Sequence, residues 1–203
     1  MCGRYRLDDE ADMAELYQII DEVNRHGGAA SLKTSGEVFP TDVVPVAANS
    51  RQGKPSAFAM RWGYALPDGK RLINARSETA ASRPLFRDGM LERRCAVPAS
   101  EYFEWERIDG SRRKYAIRPA GSGLFYMAGI YRLESGEPAF SILTREPADS
   151  IAFIHDRMPV ILPQELVRDW INPKYDAAEI LVHAVLDVAH RPAPTDEQMH
   201  MAL

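Results

Sequence analysis

Glu101-Tyr102-Phe103-Glu104-Trp105-Glu106-Arg107 and, beyond Asp109-Gly110, Lys114-Tyr115-Ala116-Ile117-Arg118 form the stretch whose reading decides the fold. Aromatic and apolar residues dominate both arms, and Asp-Gly supplies the left-handed backbone of a tight turn, so the pair is predicted to be a β-hairpin. A second hairpin is predicted over residues 124–133 and 139–144, turning at Glu134-Ser135-Gly136. Working upstream, short β-type segments fall at residues 42–47, 56–64 and 72–75, followed by short helices at 77–81 and 84–91. An amphipathic helix is predicted over 9–26, where Met13, Leu16, Tyr17, Ile20 and Val23 recur at helical spacing before Gly27-Gly28. Downstream, residues 147–154, 163–171 and 176–189 carry helical patterns. Strands fill the middle, helices flank them, and no βαβ alternation appears. The expectation is α+β: a single domain with a mainly antiparallel mixed sheet or barrel flanked by helices. That domain is expected over 1–190, with a poorly ordered tail at 191–203.

A chain of 203 residues with 45% hydrophobic and 27% charged residues has the composition of an ordinary globular protein. No apolar run reaches the roughly 18–20 residues that span a bilayer, and the start is charged within a few residues. A cytoplasmic monomer without membrane contact is expected. Cys2 and Cys95 are too few for a disulfide framework and match no zinc spacing, so neither metal nor cofactor is expected. The net charge of −4 argues against indiscriminate nucleic-acid binding, but the charge is uneven. Between Arg51 and Arg118 stand 15 basic and 8 acidic residues, against 10 basic and 21 acidic elsewhere. This basic middle is either a phosphate-binding face or a solvated surface that merely clusters in sequence.

Four residues carry candidate chemistry. If Met1 is removed, Cys2 becomes a terminal residue with an α-amine and a thiol on adjacent carbons. Such an aminothiol condenses with an aldehyde to an imine and then closes a thiazolidine ring, which an internal cysteine cannot do. Routine removal of Met1 before a small residue would give the same terminus without any such role. Asn74 can both donate and accept, which suits orienting an α-amine; a buried cap for the helix near Ser77 is the plainer account. Glu104 among aromatics can have a raised pKa and move protons, though edge strands often carry exposed glutamates. His155, after an apolar segment and before Asp156, is either a tuned proton donor or a structural histidine.

Read together, several segments are more specific than any one. Met1-Cys2-Gly3-Arg4-Tyr5, Arg61-Trp62-Gly63 and Ile73-Asn74-Ala75-Arg76-Ser77-Glu78-Thr79 come first. Arg94-Cys95-Ala96-Val97-Pro98-Ala99, Tyr102-Phe103-Glu104-Trp105, Ser141-Ile142-Leu143-Thr144 and Ile154-His155-Asp156-Arg157-Met158-Pro159 follow in order. The set closely resembles the SOS response-associated peptidase (SRAP) family. The resemblance implies a catalytic domain that removes its own Met1 and crosslinks to the ring-opened aldehyde of an abasic site in single-stranded DNA. It implies Cys2 as nucleophile, with Asn74, Glu104 and His155 around it. It also implies Arg4 and Arg76 as phosphate contacts and Thr144 beside the site.

Two features depart from the family pattern. Tyr64-Ala65-Leu66-Pro67-Asp68-Gly69-Lys70 lacks the usual tryptophan, which leaves Tyr64 as the candidate stacking ring. Glu37 stands where an asparagine is usual, and its carboxylate would repel phosphate. In addition, the region after Trp170 is short and lacks the family's usual final strand pattern. Two further functional classes stay open: a cysteine hydrolase acting on peptides through Cys2, His155 and Glu104, and a non-catalytic single-strand-binding module.

Overall fold

The computed structural model describes residues 2–7, 14–25, 31–121 and 123–194. In chain order the first elements are β1 (Arg4–Leu7), α1 (Ala14–Arg25), β2 (Gly36–Val38), β3 (Val43–Asn49) and β4 (Pro55–Trp62). Then come β5 (Tyr64–Ala65), β6 (Arg71–Leu72), β7 (Asn74–Arg76), α2 (Ser77–Ala80), α3 (Pro84–Glu92) and β8 (Arg94–Ala99). The two long hairpins follow as β9 (Glu101–Ile108) with β10 (Ser111–Pro119), and β11 (Phe125–Glu134) with β12 (Glu137–Arg145). The chain ends with β13 (Met158–Pro159), β14 (Ile161–Leu162), α4 (Val167–Ile171), α5 (Ala177–Leu181) and β15 (Val188–Pro192).

Five strands close on themselves: β12 pairs with β4, β4 with β3, β3 with β8, β8 with β11, and β11 with β12 again. Only the β4–β12 pair is parallel. Closure removes the exposed edges that an open sheet would leave. Strand periodicity then sorts the apolar side chains. Cys95, Val97 and Ala99 of β8, with Phe125 and Met127 of β11, enter one buried cluster. Their neighbours Ala96, Tyr126, Ala128 and Ile130 enter a second, which Trp170 of α4 covers. Because β8 is buried on both faces, its sequence shows no alternation, and pattern reading passes over it.

A second, open sheet runs β2–β1–β9–β10–β15, antiparallel throughout. Its third and fourth strands are the predicted hairpin, turning through Asp109 and Gly110 with φ of 47° and 81°. The opening residues of the chain are thus drawn between two strands, with Arg4 opposite Phe103 and Tyr5 opposite Tyr102. The architecture is α+β in a single domain, mainly antiparallel, with a barrel and flanking helices.

Several expected elements take different forms. The strand expected at 56–64 ends at Trp62, because Gly63 turns at φ 102° where a Cβ would meet Arg71 and Ile73 at 3.1 Å. The strand expected at 72–75 divides, β6 pairing with β5 and β7 running parallel to β12. Residues 147–154 form only a 3-10 turn at Asp149–Ile151 and irregular turns, burying Ala148, Ile151 and Ile154 at a spacing of three. The helix expected over 176–189 stops after α5. Beyond it the Val185 N–H donates to Ile161 O at 2.9 Å, and β15 then zips onto β10. Tertiary backbone partners override local helical spacing there. That last strand takes in Arg191 and Pro192, while residues 195–203 of the expected tail, and 9–13 and 26 of the expected first helix, lie outside the described residues. Among the described residues no helix is long and apolar enough to cross a membrane.

Candidate active site

Cys2 lies two residues before β1, close enough to Glu104 of the neighbouring β9 for that carboxylate to act on its thiol. Its side chain is fully buried, and its Sγ lies 3.8 Å from the Arg4 carbonyl, to which it donates. Burial raises the thiol well above its ordinary range, and the Glu104 carboxylate adds to the effect, so the group is a neutral thiol at rest. Across the gap between the two sheets, β7 presents Asn74, whose Nδ2–H donates to Cys2 O at 2.8 Å. The Asn74 Oδ1 is buried without a hydrogen-bond partner, leaving an acceptor beside Cys2. The bond ties β7 to the start of the chain.

Glu104 is 3% exposed on β9, and burial pushes its carboxyl up to about 7. At neutral pH it therefore populates both proton-donating and proton-accepting forms. His155 follows the turn after β12 and is partly buried, which lowers its pKa. Its Nδ1 accepts from the Arg157 backbone N–H at 3.0 Å and lies 2.8 Å from Asp156 Oδ1. Cys2, Asn74 and Glu104, from three distant segments, meet where the open sheet approaches the barrel, and His155 is linked to them through its neighbour Asp156, whose charge acts on Glu104.

Thr144 is 1% exposed, so it meets the site through its bonds: Oγ1 donates to Ala75 O at 3.4 Å, and its carbonyl accepts from Arg157 Nη2 at 2.7 Å. Arg76 lies opposite Thr144 in the parallel β7–β12 register and is exposed. Arg157 was not singled out by sequence. Its guanidinium meets Glu78 in a bidentate pair, both bonds 2.8 Å, and this holds the Glu78 carboxyl below its usual range. The only signal was its place two residues after His155.

Arg4 lies with its guanidinium 4.4 Å from the Phe39 ring centroid and 5.2 Å from that of Trp105. Its Nη1 donates to Glu37 Oε2 at 3.2 Å. The same carboxylate takes Arg6 at 3.4 Å and the buried Lys114 at 2.6 Å. The Glu37 carboxylate is thus engaged rather than bare: among the described residues three cations, Arg4, Arg6 and Lys114, surround it. Sequence gave no sign of Lys114, 77 residues away.

Tyr64 is not a stacking surface. It is 1% exposed, packed on Phe86 at 5.9 Å and covered by Arg132 at 4.5 Å. Nor does the basic stretch form one face. Arg94 is buried over Trp170, Arg71 pairs with Glu134 at 3.5 Å, and Lys114 is taken up by Glu37. Two cavities of about 960 and 720 Å³ are not lined by Cys2; the larger is lined by Ser77, Glu78, Arg94 and Arg145 among others. Among the described residues no three His, Cys, Asp or Glu side chains converge in a metal-holding cluster.

Known proteins resemble this chain over nearly its full length. It is 31% identical over 225 aligned positions to the abasic site processing protein YoqW of Bacillus subtilis, covering 95% of each chain. It is 32% identical to the abasic site processing protein YoaM of the same organism, over 92% of this chain and 86% of the other. In fold it matches a crystal structure of a protein from Bacteroides thetaiotaomicron with a TM-score of 0.78, at 24% identity over 96% of this chain and 93% of that one. The family model described as SOS response associated peptidase (SRAP) matches residues 1–201, and the chain belongs to that family.

Proposed function

We propose that this protein processes abasic sites in single-stranded DNA by capturing them covalently on Cys2. The observation that carries the reading is the neighbourhood of Cys2. A buried thiol sits at the head of a strand, its own carbonyl held by Asn74, with a carboxyl of pKa about 7 alongside. The relatives' name, abasic site processing protein, points to the same substrate.

Hydrolysis of the Met1–Cys2 bond would release methionine and leave the Cys2 α-amine. Attack of that amine on the aldehyde carbon of a ring-opened abasic sugar gives a carbinolamine. Proton donation by Glu104 expels its hydroxyl as water and leaves an iminium, whose N–H proton returns to the Glu104 carboxylate to give the imine. The thiol then adds across the C=N bond: a C–S bond forms, the thiol proton passes to nitrogen, and a thiazolidine results. A thiol whose pKa is raised by burial needs a base for that addition, and Glu104, once deprotonated, is suited to it. Asn74 Oδ1 is placed to accept from the α-amine and aim its lone pair. His155 protonates the sugar oxygen during ring opening. Arg4 and Arg76 neutralise flanking phosphates, and Thr144 contributes by placing Arg76 and Arg157 rather than by touching DNA.

The hydrolase reading fares less well. Its nucleophile would need a hydrogen-bonded imidazole, whereas the hydrogen bond of Cys2 Sγ runs to the Arg4 carbonyl. The test is intact mass after incubation with abasic single-stranded DNA. Loss of one methionine and a DNA-sized adduct on the peptide containing Cys2 is the expected result. Turnover of peptides without any adduct would favour the hydrolase, and gel retardation alone a binding module.

A further inference from the structure

We propose that Glu78 is a positioning residue for His155: its fork on Arg157 holds the Arg157 amide against His155 Nδ1, so the neutral imidazole carries its proton on Nε2. The inference rests on the reading of His155 as a proton donor.

Two neighbours compete for His155 Nδ1. The Arg157 backbone N–H, at 3.0 Å, needs a lone pair there. The Asp156 carboxylate, at 2.8 Å from the same atom, needs a proton there. Both cannot be satisfied at once, because a ring nitrogen is either donor or acceptor. If Nδ1 accepts, the neutral ring bears its hydrogen on Nε2. If Nδ1 donates to Asp156, a neutral ring has no hydrogen on Nε2. Which arrangement holds depends on how firmly the Arg157 amide stays in place. Four side-chain bonds anchor that residue: 2.8 and 2.8 Å to Glu78, 2.7 Å to the Thr144 carbonyl and 3.5 Å to Thr144 Oγ1. Asp156 is 82% exposed in its side chain and therefore well solvated. The other charges acting on the ring are the N-terminal amino group, whose effect is the larger, and Arg107 of β9. A bidentate guanidinium–carboxylate pair fixes orientation as well as charge, which a single contact would not. Glu78 is the second residue of α2, directly after Arg76 and Ser77, so the same segment that offers Arg76 toward DNA also locks the histidine loop. Second-layer residues that fix an imidazole's tautomer recur where its other nitrogen does chemistry.

The experiment uses Glu78→Ala and Glu78→Gln in the full-length protein, with thermal melts to establish folding. Glu78→Gln keeps one acceptor for Arg157 and serves as the milder variant. Long-range ¹H–¹⁵N spectra, with His155 assigned against His155→Gln, report the tautomer without any DNA. The wild type is expected in the Nε2–H form at pH 8, with Glu78→Ala shifted toward Nδ1–H and Glu78→Gln between. Crosslinking to abasic single-stranded DNA should fall about tenfold in Glu78→Ala at saturating DNA, a fraction of the 10²–10⁴ that losing a proton-transfer group itself costs. DNA affinity should not fall, since a negative charge is removed. An unchanged His155 tautomer in a folded Glu78→Ala overturns the proposal whatever the activity. A wild type that shows the tautomer but forms no adduct would instead sink the functional reading and leave the positioning intact.

Discussion

Cys2 and Cys95 are equally inaccessible, and each carbonyl accepts a side-chain N–H at 2.8 Å, yet the charges around the two thiols differ. Cys95 lies inside β8, paired with Ala48 on one side and Gly129 on the other. Burial alone raises its thiol, and its carbonyl accepts from Trp170 Nε1 at 2.8 Å. Its Sγ packs so closely on Gly129 that a Cβ there would lie 2.9 Å away. Cys2 precedes its strand, with Glu104 acting on its thiol and Asn74 on its carbonyl. Burial by itself makes a cysteine inert. Capture of an aldehyde as a thiazolidine, as proposed for Cys2, would need in addition a proton-transfer partner beside the thiol and a chain position where an amine adjoins it.

The sharpest way to break this comparison is to exchange the roles. Cys2→Ala should abolish adduct formation on denaturing gels, whereas Cys95→Ala should crosslink within about twofold of wild type while losing about 1–2 kcal/mol of stability to the small cavity. Adducts at wild-type level from Cys2→Ala would remove Cys2 from the chemistry.

Next in size is Glu104→Gln, which keeps the shape and removes the proton. Crosslinking should slow by about 10²–10⁴ and lose the pH dependence centred near 7. Stability should move the other way. A carboxyl whose folded pKa lies near 7, above an unfolded value near 4.5, favours folding fully only below 4.5, and that contribution is lost as pH rises through 7. The Gln variant should therefore be more stable than wild type at pH 8, by on the order of 1–3 kcal/mol, and this gain should vanish below pH 4. Denaturant titrations at the two pH values test it, and equal midpoints at pH 8 would show that Glu104 is not held neutral by the site.

Gly129→Ala probes the other thiol. With Cys95 Sγ at 2.9 Å and Val97 Cγ2 at 3.3 Å from the added carbon, overpacking should cost about 1–3 kcal/mol in a melt, with crosslinking per folded molecule unchanged. A loss of chemistry beyond the loss of folded protein would couple two regions that the structure keeps apart.

The smallest expected effect lies at the rim. Arg76→Ala should weaken single-stranded DNA binding and reduce the salt slope by about 0.7, one phosphate's worth, with no change in the reaction of Cys2 with a small free aldehyde. Binding that is insensitive to salt, or an unaltered slope in the variant, would remove Arg76 from the DNA path.

Residue chemistry and local pattern determined a good deal. Asp109-Gly110 and Ser135-Gly136 announce their turns because the left-handed conformation is costly for most residues, so both hairpins were readable. Cys2, Asn74, Glu104 and His155 were readable as candidates because each is chemically conspicuous within an ordered set of family motifs. What the tertiary structure alone decided is where backbone hydrogen bonds go when several partners compete, and which charges meet. Residues 176–189 have helical spacing, yet Val185 and β15 find partners on β14 and β10 and the helix ends. Arg4–Leu7 is short and irregular in pattern, and becomes a strand because β2 and β9 lie on either side. Glu37 read as a repulsive charge becomes the anchor of Arg4, Arg6 and Lys114, since its partners come from two other strands. Arg157, silent in sequence, joins Glu78 to the histidine loop across 79 residues. Local propensity acts over a few residues, but electrostatic and hydrogen-bond partners are chosen by proximity in space, and proximity exists only after the sheets have closed.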